Sequence, residues 1–404
     1  TNWCKEIARF APELRVHVYH GNMRKLAPLA NADVLLTTYG VVRSESNEFQ
    51  KKDWLVVIID EAQNIKNTET AQTKAVKKLK APVRIAMTGT PVENRLSEYF
   101  SIFDFANHSY LGSLKTFTAE YARPIELERN HAVLERFQRI TAPFLMRRLK
   151  TDKSIISDLP DKIETNQYCS LTQEQAALYQ NIVNELLRAI SAEKEGNIKR
   201  QGLVLKMLTA LKQVCNHPAH FLKKQVADPM LSGKTQLLLD LQAQIIDNGE
   251  KTLIFTQYRE MGELLVPMLR DQMGLEAAFL HGGVSRNARD RMVEDFQQKR
   301  STKILLLSLK AGGTGLNLTA ASNVIHYDLW WNPAVEAQAT DRAFRIGQQR
   351  NVQVHRFITQ GTFEEKIDAM LQSKKELANL AVSAGEKWVG ELTDTELSEL
   401  VRLG

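Results

Sequence analysis

The chain has 404 residues, 43% hydrophobic and 25% charged, with a formal net charge of +6 at pH 7 and an isoelectric point near 9.0. That length calls for two or three domains with a sizeable core, and three widely spaced cysteines (Cys4, Cys169 and Cys215) point to a reducing compartment and exclude a disulfide framework. Apolar runs are too short to span a membrane, no signal-peptide pattern opens the sequence, and the basic balance favours a polyanionic partner.

Residues 1 to about 105 alternate apolar strands with helical stretches, which predicts a parallel sheet. Strands are expected at 14–19, 33–38, 54–60 and 83–88. The third carries Trp54-Leu55-Val56-Val57-Ile58-Ile59, a continuous apolar run as expected of a strand buried on both faces. It ends in Asp60-Glu61-Ala62-Gln63, at the strand end where open α/β sheets bind ligands. An Asp there can hold Mg²⁺, and the next Glu can take the proton from an attacking water. The competing reading is plain surface charge. Thr88-Gly89-Thr90-Pro91 ends the fourth strand and by itself reads as a turn.

From about 106 to 231 strand signals nearly vanish. Thr172 and Gln175 form a capping box before a long helix reaching about 195. Residues 200–215 read as another helix, with Leu203, Met207 and Leu211 on one stripe. Cys215, His217 and His220 are too few for a closed zinc site. Ser232-Gly233-Lys234-Thr235 fails as a phosphate loop, because Asp228 stands where the signature needs Gly and no strand leads in. Strands resume at 252–256, 277–280, 303–307, 323–327 and 352–358, and a helical tail opens on a second capping box, Thr362-Phe363-Glu364-Glu365.

The run Ala311-Gly312-Gly313-Thr314-Gly315 follows the 303–307 strand. Its backbone N–H groups, with the Ser308 and Thr314 hydroxyls, can contact phosphates without reading bases, or simply form a tight turn. Beyond the 323–327 strand comes Leu329-Trp330-Trp331-Asn332-Pro333-Ala334, then Gln338, Asp341, Arg342 and Arg345. On a helix the last four share one face. Two guanidinium forks beside an acid and an amide suit a polyphosphate; the alternative is a solvated basic flank. Trp330 and Trp331 are read as core or groove-wall residues in preference to base-stacking platforms.

Together these blocks resemble the SWI/SNF family of DNA-translocating ATPases in helicase superfamily two. The blocks are Asn2-Trp3 with Glu6, Leu36-Thr37-Thr38-Tyr39, Asp60–Gln63, Thr88–Asn94, Phe144–Lys150 with Leu159-Pro160, and Cys215–Pro218, followed by Phe255–Tyr258, His281-Gly282-Gly283, Ala311–Leu318 and the arginine segment. They stand in the family's order and cover nearly the whole chain. Phe344 departs from the pattern, which usually has His there, and the family's phosphate-binding loop would lie upstream of Asn2-Trp3.

The resemblance implies an α/β fold of two RecA-like lobes, the first N-terminally truncated, with a helical insertion between them. The expected parts are a partial first ATPase lobe at 1–105, helical protrusions and linker at 106–231, a second, helicase C-terminal lobe at 232–362, and a helical tail at 363–404. It implies ATP and Mg²⁺ as cofactors, with ATP between the lobes. Asp60 would organise Mg²⁺, Glu61 activate water, Gln338 orient nucleotide or water, and Arg342 and Arg345 stabilise the phosphoryl transition state. Thr88, Gly89 and Thr90 would couple phosphate state to lobe movement, and Gly313, Gly315 and Asp341 would meet nucleotide. Double-stranded DNA would lie against Thr37, Thr38, Tyr39, Gln257, His281, Gly282, Ser308, Lys310, Gly312, Thr314, Asn317 and Trp331. The implied activity is ATP-dependent translocation on duplex DNA that displaces bound protein, in a cytoplasmic, membrane-free setting that is nucleoid-associated if the source is prokaryotic. Residues 1–404 alone are expected to be inactive in ATP hydrolysis. A strand-separating helicase and a catalytically silent DNA-binding scaffold are the competing classes.

Overall fold

A computed structural model describes residues 2–21, 31–89, 96–146, 148, 159–193, 197–308, 316–330, 332–378 and 392–404. They form two compact units: one lies within Thr1–Met146, and the other takes in Arg147–Leu377 and residues 392–404.

The first unit holds two parallel strand pairs. β1 (Val16–Val18) pairs with β2 (Val34–Leu36), and β3 (Val56–Ile59) pairs with β4 (Val83–Ala86). Register Val56↔Val83 through Ile59↔Ala86 sets both C-terminal ends side by side. One core gathers Val41, Val42, Phe49, Ile59, Ile65 and Val76. A second, aromatic core forms where helices Leu96–Ala106 and His131–Thr141 pack through Tyr99, Phe103 and Phe137. The expectation that the 54–59 strand is buried on both faces does not hold here. Val56, Ile58, Val83 and Ile85 alternate onto an exposed face, because the described residues cover only the opposite face of this pair.

The second unit is built on a six-stranded parallel sheet of β5 (Lys162–Cys169), β6 (Thr252–Thr256), β7 (Ala277–Leu280), β8 (Ile304–Ser308), β9 (Asn323–His326) and β10 (Val352–Thr359). Their order across the sheet is β5-β10-β9-β6-β8-β7. Every residue of β6, β8 and β9 is buried, as a parallel sheet covered on both faces requires.

β5 lies in the stretch where strands were not expected. Its sequence, Lys-Ile-Glu-Thr-Asn-Gln-Tyr-Cys, lacks an apolar pattern. Among the described residues it is an edge strand paired with β10 over eight residues, so pairing in place of burial holds it. Helices Gln173–Ser191 and Ile198–Asn216 pack against each other and against Phe363, Leu397 and Val401 near the C-terminus. The Thr172–Gln175 capping box forms in full. That of the 363 helix is rearranged: Thr362 Oγ1 accepts from Glu364 N, Glu365 reaches back to Gly361 N, and Glu364 turns inward to Thr359 N.

Candidate functional site

In the first unit β3 hands the chain to Asp60, whose carbonyl accepts the Tyr39 hydroxyl at 2.7 Å. The exposed Asp60 carboxylate accepts Glu61 N at Oδ1 and Trp3 Nε1 at Oδ2, both at 2.9 Å. Glu61 is left-handed, with φ 50° and ψ 55°. That conformation costs a non-glycine residue about 1–2 kcal/mol and concentrates at functional sites. The turn brings Glu61 Oε2 to Gln63 Nε2 at 2.7 Å, and Gln63 Oε1 accepts from Thr88 Oγ1 at 2.8 Å. Backbone bonds Met87 N to Ile59 O and Ala62 N to Met87 O, both 2.9 Å, fix the two strand ends.

Each Asp60 oxygen accepts one bond and keeps a lone pair. That is adequate donor chemistry for Mg²⁺, which takes one or two carboxylates and fills its remaining positions with phosphate and water. Among the described residues no group of three or more His, Cys, Asp or Glu could hold a metal. The Thr37 and Thr38 hydroxyls expected at DNA have partners inside this unit. Thr37 Oγ1 donates to Tyr19 O, and Thr38 Oγ1 caps helix Tyr39–Ser44. Burial first, then the Asp60 and Glu61 carboxylates, raises the Tyr39 hydroxyl above its usual range.

In the second unit the candidates gather at the C-terminal strand ends. Ser308 closes β8 and is buried. Gln257, just past β6, donates from its backbone N to Asp328 Oδ1 at 2.8 Å and from Nε2 to Leu329 O. Past β7, His281 Nδ1 accepts from Gly283 N at 3.1 Å, and Gly282 is exposed. Asn317 is also exposed.

The shared helical face expected for Gln338, Asp341, Arg342 and Arg345 is corrected by the structure. The helix is Pro333–Thr340, so only Gln338 lies on it. The Arg342 carbonyl accepts from Leu318 N at 2.9 Å, which captures the acceptor that another helical turn would need. Gly347, at φ +99°, then turns the chain away. Arg342 is buried, while Arg345 is half-buried and donates to Leu316 O at 3.3 Å. Asp341 is half-buried at the head of this turn. Phe344 is buried beside Phe255, Leu307 and Leu318. Thr90, Lys310, Gly312, Gly313, Thr314, Gly315 and Trp331 lie outside the described residues.

A buried polar hub that no sequence motif announces lies behind these strand ends. Asp328 accepts from Thr256 Oγ1 at 2.6 Å and from Asn216 Nδ2 at 3.0 Å. Lys234 Nζ reaches Asn216 Oδ1 at 3.3 Å and forms a buried ion pair with Glu364 at 2.8 Å. Lys212 Nζ donates to Leu329 O at 2.9 Å. Gly233 is required next to this hub, since a Cβ there would sit 2.0 Å from Ser170 O. Both His217 ring nitrogens are engaged, Nδ1 by Ala219 N and Nε2 against Asp228 O.

A carboxylate pair on a strained turn after one parallel strand, and arginines on a turn after another strand and helix, are components of a helicase-like ATPase core. The SNF2-related domain model matches residues 1–220, and the helicase conserved C-terminal domain model matches 233–347. The chain therefore belongs to the SNF2 family, an ATP-hydrolysing, helicase-like group.

It is 46% identical to the "Putative ATP-dependent helicase/translocase YwqA" of Bacillus subtilis, over 100% of this chain and 44% of that protein. It is 31% identical to the TATA-binding protein-associated factor mot1 of Schizosaccharomyces pombe, over 99% of this chain and 24% of that protein. The chain thus spans less than half the length of either relative. Among solved structures it resembles the Sulfolobus solfataricus SWI2/SNF2 ATPase core in complex with dsDNA, with 43% identity, a TM-score of 0.55, and coverage of 100% of this chain and 84% of that one. Among the described residues no helix is long and apolar enough to cross a membrane.

Proposed function

We propose that the whole protein hydrolyses ATP to move along double-stranded DNA and displaces protein bound there. The observation that carries this reading is the hydrogen-bonded chain Glu61–Gln63–Thr88 at the ends of β3 and β4. It ties a residue suited to activate water to the neighbouring strand end, so that a change at one is felt at the other. Support for duplex DNA comes from the 43% identical ATPase core solved with dsDNA.

Glu61 acts as base toward water, and Arg342 and Arg345 offset the charge that develops on the transferring phosphoryl group. Asp60 would hold Mg²⁺, which when bound neutralises phosphate charge. Gln338 orients nucleotide or water, Gly313, Gly315 and Asp341 meet nucleotide, and Thr88, Gly89 and Thr90 pass the phosphate state onward. DNA is held by its backbone along Thr37–Tyr39, Gln257, His281-Gly282, Ser308, Lys310, Gly312, Thr314, Asn317 and Trp331, which calls for little sequence preference.

The test uses the whole protein. Duplex DNA should stimulate ATP hydrolysis, and the protein should strip a third strand or a bound protein from duplex without opening a forked substrate. Binding to unrelated duplexes should be similar and should fall steeply with salt. Unwinding of the fork would favour the strand-separating alternative, and a flat salt response would contradict backbone contact.

A further inference from the structure

We propose that Arg356 is a positioning residue for ATP hydrolysis, acting through Glu336 to hold the segment that carries Arg342 and Arg345. The inference rests on the reading of those arginines given above.

Arg356 lies on β10 in Val-Gln-Val-His-Arg-Phe-Ile-Thr, a strand otherwise mostly buried. Its side chain is 11% exposed. One guanidinium there joins three elements. Nε donates to Glu336 Oε2 at 3.2 Å, on helix Pro333–Thr340. One terminal nitrogen donates to Asp368 Oδ1 at 2.6 Å, on helix Phe363–Ala378. The other donates to Asn166 Oδ1 at 2.8 Å, on β5. A planar fork can serve three acceptors at fixed angles; a lysine ammonium on a flexible stem cannot reproduce that geometry.

Glu336 passes the constraint on. Its Oε1 accepts Trp330 N at 2.7 Å, fixing the chain just before the helix. At the other end of the helix, His326 Nε2 and Thr340 Oγ1 are 2.9 Å apart, fixing the residue just before Asp341. The helix is pinned at both ends, and Arg342 follows two residues past the second pin. The effect of Arg356 travels through Glu336 and the orientation of this short helix. Asp368 also lies four residues from Glu364, which pairs with buried Lys234. The C-terminal helix is therefore a fixed wall that Arg356 can brace against.

The test again uses the whole protein. Glu336→Gln keeps shape and an acceptor for Trp330 N while removing the charge that faces Arg356. Arg356→Lys keeps charge and loses the fork. Both should lower DNA-stimulated kcat by about tenfold or more, because small misplacements of charge-stabilising groups are costly. The ATP KM and the DNA Kd should stay close to the wild-type values, and the loss of kcat should persist after scaling to the folded fraction, since a disturbed buried ion pair also lowers the thermal midpoint.

If Arg356→Lys does not fold, the isosteric Glu336→Gln decides. Wild-type kcat in Glu336→Gln, beside an active wild type, overturns the positioning role alone. So does a fall in rate that disappears when scaled to the folded fraction, or one shared equally by KM and DNA binding. A wild-type protein without DNA-stimulated hydrolysis overturns the functional reading as well.

Discussion

The Thr88 hydroxyl donates to the Gln63 carboxamide at 2.8 Å, joining the ends of β4 and β3. The same carboxamide donates to Glu61 at 2.7 Å, so Gln63 is the middle member of a three-residue chain. Such a chain makes Glu61 sensitive to whatever moves Thr88. Gln63→Leu and Thr88→Val in the whole protein should each lower DNA-stimulated hydrolysis. The double variant should be little worse than either single one, since residues in one hydrogen-bonded chain couple. Steady-state ATPase rates for the four proteins of that cycle measure the coupling. Strictly additive losses would show that the two residues act independently.

Glu61 itself should matter more. Glu61→Gln keeps shape and the bond with Gln63 but cannot accept a proton from water. Hydrolysis should fall by roughly 10²-fold or more, with ATP and DNA binding retained. Near-normal turnover in that variant would remove Glu61 from the role of base. Its left-handed backbone is kept in the variant, so a loss cannot be ascribed to a changed turn.

The strands that the apolar runs announced are present, with ends moved by a residue or two; in β6, β8 and β9 the runs encode burial between layers, whereas β3 and β4 keep one exposed face. What stayed hidden depended on partners distant in sequence. β5 is held by β10 in register Lys162↔Val352 through Cys169↔Thr359, and the bond from Asp161 N to Asn351 Oδ1, 190 residues apart, precedes the ladder. Gln338, Asp341, Arg342 and Arg345 keep helical spacing, so the local pattern points to helix where the structure has a turn. The interruption comes from Leu318 N, which no local pattern announces. The Arg356 fork did leave a trace. A lone Arg in an apolar strand and a lone Glu in Pro-Ala-Val-Glu-Ala are charges set where burial is expected, and such charges are normally paired.

The Lys234–Glu364 pair is fully enclosed. Removing one member strands a buried charge, so Lys234→Met should destabilise the second unit by about 3–5 kcal/mol. Lys234→Met with Glu364→Leu should recover part of that loss, because no lone charge remains. Urea unfolding of the second unit, followed by a probe placed within it, measures both. A double variant less stable than Lys234→Met alone would show that Glu364 is held mainly by its bond to Thr359 N.

Burial lowers His326 to about 3 and His220 to about 4, the latter with help from His217. Both folded values lie below the ordinary value near 6.5. Their contribution is therefore present above about pH 6.5 and is lost as pH falls, when the unfolded chain takes up protons that the folded one refuses. The loss is about 1.4 kcal/mol per pH unit for each group in that window. Glu336 opposes it. Burial raises its carboxyl to about 7 despite Arg356, so its contribution is present at low pH and lost as pH rises toward 7. The His220 ring nitrogens have no hydrogen-bond partner among the described residues and the ring meets Tyr258 edge-on. His220→Phe should thus keep stability near pH 7.5 and reduce the acid slope by about one proton. An unchanged slope would place the acid sensitivity elsewhere.

Arg342 and Arg345 should separate by structure. Arg342 is 5% exposed and its carbonyl is held by Leu318 N. Arg345 is half-buried and reaches Leu316 O at 3.3 Å. Arg345→Ala should lower kcat by roughly 10³-fold, the scale of a lost transition-state arginine, with stability changed by no more than about 1 kcal/mol. Arg342→Ala should lower kcat and also cost about 1–3 kcal/mol of stability in the second unit, because it empties space in a packed interior. Arg345→Lys should stay close to Arg345→Ala if a planar fork is required, and should recover activity if a point charge is enough. ATPase rates beside thermal unfolding of the same preparations test all three. An Arg345→Ala protein that hydrolyses ATP normally, with Arg342→Ala inactive only in proportion to its unfolding, would leave this turn a structural element and move the transition-state charge to another residue.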